Sequence, residues 1–442
     1  MRSDRPGDEV AAHLRRLRLR AIGDRLRESL LFLPALMLAA SAALFFGLWQ
    51  IDQAHQAQSL PGTFSFAPST ASTLLGIVAG AMITTAGVVF SLLVVSLQLA
   101  SGQFSPRVLR GFWRDVFGQV LVGLLLSTFV FCVLVLARLN PAARRAPPLT
   151  VMFALLLTLA SVVVIVVYLD RISRQQYVGR IMARVAGETL ALVRELPYGP
   201  HVGMRVGEPV PAPDLAGLGE PLIIRAPADG WVQQISRRAV IAAAPPGSVL
   251  RLETRVGGYL VRDAPLATLW PAPADPARVN ALVRAAAIVG PARTMQQDID
   301  FGLRQLSDIA LRALSPAVND PTTAIEVVLR TGSILRPLVL AELPQQSVRD
   351  RAGRILLTPF DLDHTEYVAH AFDQIRLYGA AHPQVLAAVA RTLRMLRGAC
   401  ALAGGREEAI AALDRQLALT VAGCDAGLLP EDRARVESAA AP

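Results

Sequence analysis

The strongest constraint on this chain is the segment from Pro68 to Pro106, which is mostly apolar and contains no charged residue. A helix needs only about 20 apolar residues to cross the hydrocarbon core of a bilayer, which is about 30 Å thick. From Thr70 to Gln103 a helix would measure about 51 Å at about 1.5 Å per residue. Such a helix must tilt, bend at its glycines or extend beyond the hydrocarbon. The segment therefore predicts one long membrane-spanning helix.

Three further uncharged apolar runs are long enough to cross a bilayer: Ser29 to Trp49, Val116 to Ala137 and Pro147 to Leu169. Hydrophobic residues make up 53% of the chain, and the mean hydropathy of +0.42 is rarely reached by a soluble globular protein. The sequence predicts an α-helical integral membrane protein with four transmembrane helices, in a membrane domain of residues 29–170.

The long helix is predicted to carry small and polar residues along one narrow face. We call these residues the polar stripe: Thr73, Gly76, Gly80, Thr84, Gly87, Ser91 and Gln98. Inside lipid, such a stripe should face either protein or water. Two interpretations stay open. The residues from Gly76 to Gly80 form a GxxxG motif, which lets two helices pack closely, whereas hydroxyls and backbone dipoles can also line a pore.

The four predicted runs contain no Asp, Glu, Arg or His. Proton relays, coupled transporters and voltage sensors normally carry ionisable residues inside the membrane. A passive pore needs no such residue. The sequence therefore argues against active transport and leaves a passive path as a candidate.

Arginines are distributed unequally around the predicted spans. Fifteen flank the spans on the side of the N-terminus, and three lie on the other side. The positive-inside rule places both termini in the cytoplasm of a bacterial inner-membrane protein. Residues 1–28 are predicted to form a basic amphipathic arm on the membrane surface. Arginine beside a membrane explains the net charge of +9 without nucleic acid.

The chain after the last span is predicted to be a cytoplasmic α+β region. Residues 171–220 are read as a connecting helix and a Gly/Pro linker, residues 221–274 as a small β module, and residues 275–442 as a mainly helical domain. Short apolar runs between turn residues predict the strands Leu222–Arg225, Trp231–Ile235, Val249–Thr254 and Leu266–Trp270. Residues 230–266 resemble a lipoyl-like barrel.

Six helices and one strand are predicted further on. The helices are Ala277–Ile288, Ile299–Leu314, Pro321–Leu335, Thr365–Tyr378, Pro383–Leu402 and Arg406–Val421, and the strand is Arg354–Thr358.

Several chemistries have no support in the sequence. The chain has no lysine, which removes the Schiff-base lysine, the P-loop lysine and any attachment site for lipoate or biotin. The three cysteines are too scattered for a disulfide framework or a thiolate metal site. Nucleophile-elbow, zinc-protease, Walker A and dinucleotide-binding motifs are absent from the sequence. We expect no catalytic residue, no cofactor and no metal.

The densest polar cluster lies between Asp298 and Thr323. Asp300, Arg304, Asp308 and Arg312 alternate in charge at i,i+4 spacing, which predicts a ladder on one helix face. The candidate ligand or interface residues are Asp298, Arg304, Asp308, Arg312, Asn319 and Asp320. A structural alternative stays open, in which the ladder is a surface feature, Asp320 caps the following helix and Asn319 adopts a left-handed turn conformation.

A second polar cluster contains Asp361, Asp363, His364, Glu366 and His370. The spacing of Asp363 and Glu366 predicts a capping box at a helix start. The histidines are six residues apart and fall on different faces of a helix, so they are not predicted to share a metal.

Two sequence regions are similar to a known bacterial family of membrane proteins. The first is Gly87–Ser91 with Gln98 and Gln103–Arg107, and the second and stronger one runs from Asp298 to Ala324, with Phe301–Leu306, Asp308–Ala310 and Ala313–Pro321. The chain resembles the family described as domain of unknown function 2254. The resemblance implies four spans and a cytoplasmic C-terminal region, and it brings no established activity.

The residues lead to two hypotheses about function. In the first, the chain is an oligomeric passive channel or pore-like protein for ions or small solutes, with the polar stripe along the path and a cytoplasmic region that assembles or gates it. In the second, the chain is a membrane-anchored scaffold or sensor that binds a ligand or partner through residues 298–320. The expected partners are the lipid bilayer and further copies of the chain, not nucleic acid.

Overall fold

A computed structural model describes residues 32–54, 66–103, 116–143, 145–175, 178–195, 207–404 and 406–441. The basic arm predicted for residues 1–28 lies outside the described residues. The chain divides into two compact units, the first with the described residues 32–175 and the second with the described residues from 178 onward. We call them the membrane bundle and the C-terminal region.

The membrane bundle consists of α1 Phe32–Ala54, α2 Pro68–Gln103, α3 Val116–Arg138 and α4 Pro148–Gln175. All four are long and apolar enough to cross a membrane, which confirms the four predicted spans. Helix α3 packs against each of the other three. Its buried face includes Leu121, Leu125, Phe131 and Val135, and it is the central helix of the bundle.

The structure extends α1 beyond its predicted end at Trp49, so this helix includes the charged residue Asp52. Asp52 is buried, and its carboxylate accepts hydrogen bonds from the backbone N–H groups of Leu149 and Thr150 at 3.1 and 2.9 Å. The Thr150 hydroxyl donates a third, at 2.6 Å. A carboxylate is favourable at a helix N-terminus, so Asp52 caps α4 from a neighbouring helix. The predicted apolar runs contain no acidic residue, but the candidate spans Phe32–Ala54 and Pro148–Asp170 are longer and include Asp52 and Asp170 near their ends.

The C-terminal region mixes helices and strands. Its helices are α5 Val178–Glu195, α6 Arg237–Ala243, α7 Pro276–Ala286, α8 Ile299–Ala313, α9 Pro321–Leu340, α10 His364–Tyr378, α11 Pro383–Leu402, α12 Glu407–Ala422 and α13 Pro430–Ala440. Its strands are β1 Glu208–Pro209, β2 Leu222–Arg225, β3 Gly230–Ile235, β4 Val249–Leu252, β5 Tyr259–Leu260, β6 Pro265–Trp270, β7 Ala287–Gly290, β8 Ser347–Arg349 and β9 Ile355–Leu357.

The strands form two sheets. One has six strands in the order β1-β8-β9-β4-β6-β2, and the other has three in the order β5-β3-β7. All strand pairs are antiparallel except β4 with β9, which are parallel. Strands β1, β7, β8 and β9 lie outside the segment 221–274, so both sheets include chain from beyond the predicted β module. One hydrophobic core joins both sheets to α6 and α7.

Most helices of this region begin and end close to their predicted bounds, but the short helix α6 is not among the predicted ones, and three further differences occur. The helix predicted to end at Ile288 ends at Ala286 and passes directly into β7. Helix α9 continues through Pro337 to Leu340, beyond the predicted end at Leu335. Helix α13 was not predicted, because its sequence is too polar for a clear apolar period.

Helix α5 packs against α8 and α9. Its buried residues are Ile181, Met182, Val185, Thr189 and Val193, and their helical spacing makes one apolar face. The contact with α8 is close at Gly302, where an added Cβ would lie 1.9 Å from the Thr189 hydroxyl oxygen. Only glycine fits at this crossing.

Candidate functional site

The polar stripe on α2 points away from the rest of the membrane bundle. All seven of its residues are exposed. At Gly76, Gly80 and Gly87, an added Cβ would meet no atom within 4 Å. The stripe is therefore not a packing seam between described helices of the same chain.

The hydroxyl groups of the stripe bond to their own helix. Thr73 donates to the Ser69 carbonyl at 3.0 Å, Thr84 to the Gly80 and Ala81 carbonyls at 2.9 Å, and Ser91 to the Gly87 carbonyl at 3.0 Å. A hydroxyl satisfied in this way costs little free energy in an apolar environment. The hydroxyl oxygens keep lone pairs that can still accept a hydrogen bond or contact a cation.

The opposite face of α2 packs into the bundle. It buries Leu75, Ala79, Met82, Ala86 and Val89, in two apolar clusters shared with neighbouring helices. The spacing of these residues is helical, and together they explain how α2 is held without its polar stripe. The structure thus separates α2 into a face used within the chain and a face that the chain leaves exposed.

A second candidate site is a network of charged side chains around Asp300, which is 1% exposed. One carboxylate oxygen of Asp300 accepts hydrogen bonds from Arg293 and Arg304, both at 2.9 Å. The other oxygen lies 2.7 Å from Nδ1 of His370, and the Arg255 guanidinium is 3.7 Å from the carboxylate. We call these five residues with Asp298 the Asp300 network.

Asp298 ties the network to the start of α8. It accepts two hydrogen bonds from Arg293, both at 2.8 Å, and it also accepts the backbone N–H of Phe301 at 2.9 Å as the helix N-cap. The Arg293 guanidinium lies over the rings of Trp231 and Phe301, 5.8 and 5.3 Å from their centroids. Paired charges with aromatic contacts explain how an arginine can lie at 10% exposure.

The charges of the network change the pKa of its central acid. Burial alone would raise the pKa of the Asp300 carboxyl, but hydrogen bonds from His370 and Arg293, with the charge of Arg304, outweigh burial and hold the pKa well below its usual range. Burial would lower the pKa of Arg293, and its bonds to Asp298 and Asp300 raise it. Asp300 is therefore ionised throughout the physiological pH range.

A glycine turn allows the network to close. Gly257 has a φ of +80°, and a Cβ there would come 2.4 Å from Oδ2 of Asp298 and 2.6 Å from Nη2 of Arg293. A side chain at this position would collide with the ion pair and adopt a disfavoured backbone conformation. The loop with Arg255 can approach the acids only because glycine stands here.

The six predicted site residues do not form one site. Asp298 and Arg304 belong to the Asp300 network, and Asp308 and Arg312 follow on α8, half-buried, with interaction partners in the chain. Asn319 and Asp320 lie in the turn between α8 and α9. The predicted i,i+4 ion pair of Asp300 and Arg304 is confirmed.

The turn before α9 has the predicted structural chemistry. Asn319 is left-handed, with a φ of +48°. Asp320 accepts the backbone N–H of Thr323 at 3.1 Å and its hydroxyl at 2.6 Å, and these bonds lower the pKa of Asp320. Pro321 occupies the first turn of α9. Asn319, Asp320 and Pro321 therefore each have the structural role that the helix-capping alternative predicts.

Sequence reasoning did not assign Arg255, Arg293 and His370 to the network, and it placed Asp300 only in the ladder. Arg255 and His370 are distant in sequence from Asp300, so no local period could reveal them. The sequence pattern places His370 only in the second polar cluster, with Asp361, Asp363, His364 and Glu366. The capping box of Asp363 and Glu366 is confirmed. Among the described residues, no group of three or more His, Cys, Asp or Glu could hold a metal ion.

The fold and these two sites define a membrane protein with four apolar helices and an α+β region after them. The profile of a family described as predicted membrane protein (DUF2254) matches residues 27–395. The chain belongs to this family, as its sequence resemblance implies. Uncharacterized proteins of Mycobacterium bovis and Mycobacterium tuberculosis are 36% identical over 392 residues, which cover 86% of this chain and 73% of each relative. No solved structure matches the chain.

Proposed function

We propose that the chain assembles through the polar stripe of α2 into a homo-oligomer that encloses a passive path for ions or small solutes. One observation carries the proposal. The small and polar stripe of α2 is exposed and is flanked by exposed apolar residues such as Ile77 and Phe90, while the apolar face opposite the stripe packs within the chain. A second copy or water would suit such a face better than lipid tails, because close packing and polar contacts reward small and hydroxylated residues.

The proposal includes an orientation. The excess of arginine before the first span and after the fourth favours a bacterial inner-membrane location with both termini in the cytoplasm. The C-terminal region would then assemble or gate the path from the cytoplasmic side. Because residues 230–266 resemble a lipoyl-like barrel, we propose that the β strands of this region serve as a docking surface. We propose no enzymatic role, no cofactor and no nucleic-acid partner.

Solute flux from liposomes tests the path. Purified protein should release a trapped small ion faster than empty liposomes, and Gly80→Leu or Thr84→Leu should abolish the difference by filling the stripe. Val88→Leu is the matched control, because Val88 is exposed on α2 outside the stripe. Flux equal to that of empty liposomes would contradict the proposed path.

The Asp300 network supports a second candidate, a membrane-anchored scaffold or sensor that binds through residues 298–320. The supporting observation is that two arginines beside the buried Asp300 are partly exposed, Arg255 at 21% and Arg304 at 35%. Partly exposed guanidinium groups can also bind an anionic ligand. A nucleotide from a screen should then raise the melting temperature, and Arg255→Ala and Arg304→Ala should weaken the effect. A screen without any shift would count against this candidate.

A further inference from the structure

Helices α9 and α11 together form an apolar groove of about 710 Å³ on the C-terminal region. It is lined by Arg336, Leu340, Met395, Gly398, Ala399, Leu402 and Ala403. Leu402 is 92% exposed, and Met395 and Leu340 are 49% and 41% exposed. Exposed apolar side chains grouped in one concave surface indicate a binding site more strongly than single ones do.

The two helices run in the same direction and expose the same spacing. Cys400 Sγ lies 3.9 Å from the Val339 carbonyl oxygen, and a Cβ at Gly332 would lie 2.5 Å from the Thr392 methyl group. Residue 332 of α9 lies beside residue 392 of α11, and residue 339 lies beside residue 400. The residue numbers rise in the same direction on both helices, so the helices are parallel. On α9 the exposed row is Leu329, Ser333, Arg336 and Leu340, and on α11 it is Arg391, Met395, Gly398 and Leu402.

Each row follows i, i+4, i+7 and i+11 spacing, which is the spacing of a helix face that contacts another helix. Gly398 has nothing within 4 Å of an added Cβ. A third helix can therefore approach the floor of the groove closely at this point. The spacing of the two rows matches the anchor positions of a helix bound in a groove.

The two helices that form the groove carry more arginine than acid, although Arg397 pairs with Asp414, and Glu342, just after α9, pairs with Arg406. Helix α11 contains Arg391, Arg394 and Arg397 and no acidic residue. The single acid of α9, Glu326, pairs with Arg330. Among the described residues, Arg336 and Arg391 form no ion pair. A second copy of the same face would bring arginine against arginine, which disfavours self-association.

From this shape and charge, we propose that the groove between α9 and α11 binds an acidic amphipathic helix of another protein. Leucine-type anchors of the partner would contact Leu340, Met395 and Leu402, and its carboxylates would pair with Arg336 and Arg391. The proposal concerns a surface separate from the polar stripe, so each can fail without the other.

A synthetic peptide tests the inference. The probe is a fluorescent amphipathic peptide with leucines at i, i+4, i+7 and i+11 and glutamates beside them, and the companion peptide carries lysine in place of each glutamate. The full chain is held in nanodiscs of zwitterionic lipid, and binding is measured by fluorescence anisotropy. We expect the acidic peptide to bind at least about tenfold more tightly than the lysine peptide.

Variants locate the binding site. Leu402→Glu and Arg336→Glu should each weaken binding of the acidic peptide by at least about tenfold. Arg336→Glu should also reduce the preference for the acidic peptide over the lysine peptide. Leu377→Glu is the matched control, since Leu377 is 61% exposed on α10 and does not line the groove. It should leave binding unchanged.

Three results would overturn the inference. The first is equal binding of the two peptides, or none, and the second is binding that ignores Leu402→Glu and Arg336→Glu. The third is a different occupant. It would show as crosslinks between copies at Gly398→Cys, or as protection of that cysteine in a second nanodisc that is made with anionic lipid.

Discussion

Asp300 and Thr84 are both polar residues on helices, but they differ in burial and in their hydrogen-bond partners. Asp300 is 1% exposed and contacts Arg304 on its own helix, Arg293 before the helix and His370 on α10. Thr84 is exposed and bonds only to carbonyls of its own helix. The first site is complete within one chain, whereas the second leaves a surface without a partner. Polar residues of the first kind hold a fold together, and those of the second kind indicate where the molecule meets something else.

The largest expected effect is at the center of the Asp300 network. Asp300→Ala leaves Arg293 buried with one acid fewer and removes the partner of His370. Breaking a buried ion pair in this way costs about 3–5 kcal/mol in the free energy of unfolding. Chemical denaturation followed by tryptophan fluorescence measures it, because Trp231 lies beside Arg293. A loss below about 1 kcal/mol would show that the network is not structural.

The same network predicts a dependence on pH. Because the pKa of Asp300 is lower in the folded protein than in the unfolded chain, its stabilising contribution is complete above the ordinary aspartate pKa of about 3.9 and is lost as the pH falls below it. Asp300→Asn should remove this part of the acid-induced loss. Equal slopes of stability against pH between 4 and 2 for the two proteins would contradict the low pKa.

A smaller effect is expected where α5 crosses α8. Gly302→Ala would place a methyl group 1.9 Å from the Thr189 hydroxyl and should cost about 1–3 kcal/mol through overpacking. Gly187→Ala on α5 is the matched control, because nothing lies within 4 Å of its added Cβ. Alanine is the better helix former by up to about 1 kcal/mol, so the control should be neutral or stabilising.

The turn before α9 should contribute less to the free energy of unfolding than the crossing of α5 and α8. Asp320→Ala removes the N-cap of α9 and should lower the free energy of unfolding by about 1 kcal/mol. Asp320→Ser restores a capping oxygen and should recover most of the loss. Failure of serine to recover stability would indicate that the Asp320 carboxylate has a role beyond capping.

Local patterns predicted much of this architecture, and long-range contacts account for what they missed. The apolar runs predicted all four spans, and the turn residues predicted β2 and α11 to the residue. By contrast, the parallel pairing of β4 with β9 joins segments about a hundred residues apart. The contact between His370 and Asp300 likewise joins residues that are 70 positions apart in the sequence. Contacts of this kind depend on the tertiary fold and leave no period in the sequence.

The polar stripe itself was predictable, because its residues follow a simple helical period. Its interpretation was not, since the sequence could not show which face of α2 the other helices would use. The structure assigns that use to Leu75, Ala79 and Met82, so a packing partner for the stripe has to come from outside the described part of the chain.

Thiol accessibility on α2 tests the central claim most directly. In a background with Cys132, Cys400 and Cys424 replaced, single cysteines are placed at Gly80 and Thr84 on the stripe, and at Val88 and Phe90 as exposed positions outside it. The account predicts that the two stripe positions react with a water-soluble thiol reagent in liposomes at least about tenfold faster than the two controls, because the stripe meets water and the controls meet lipid. Reaction at the stripe no faster than at Val88 and Phe90 would contradict it.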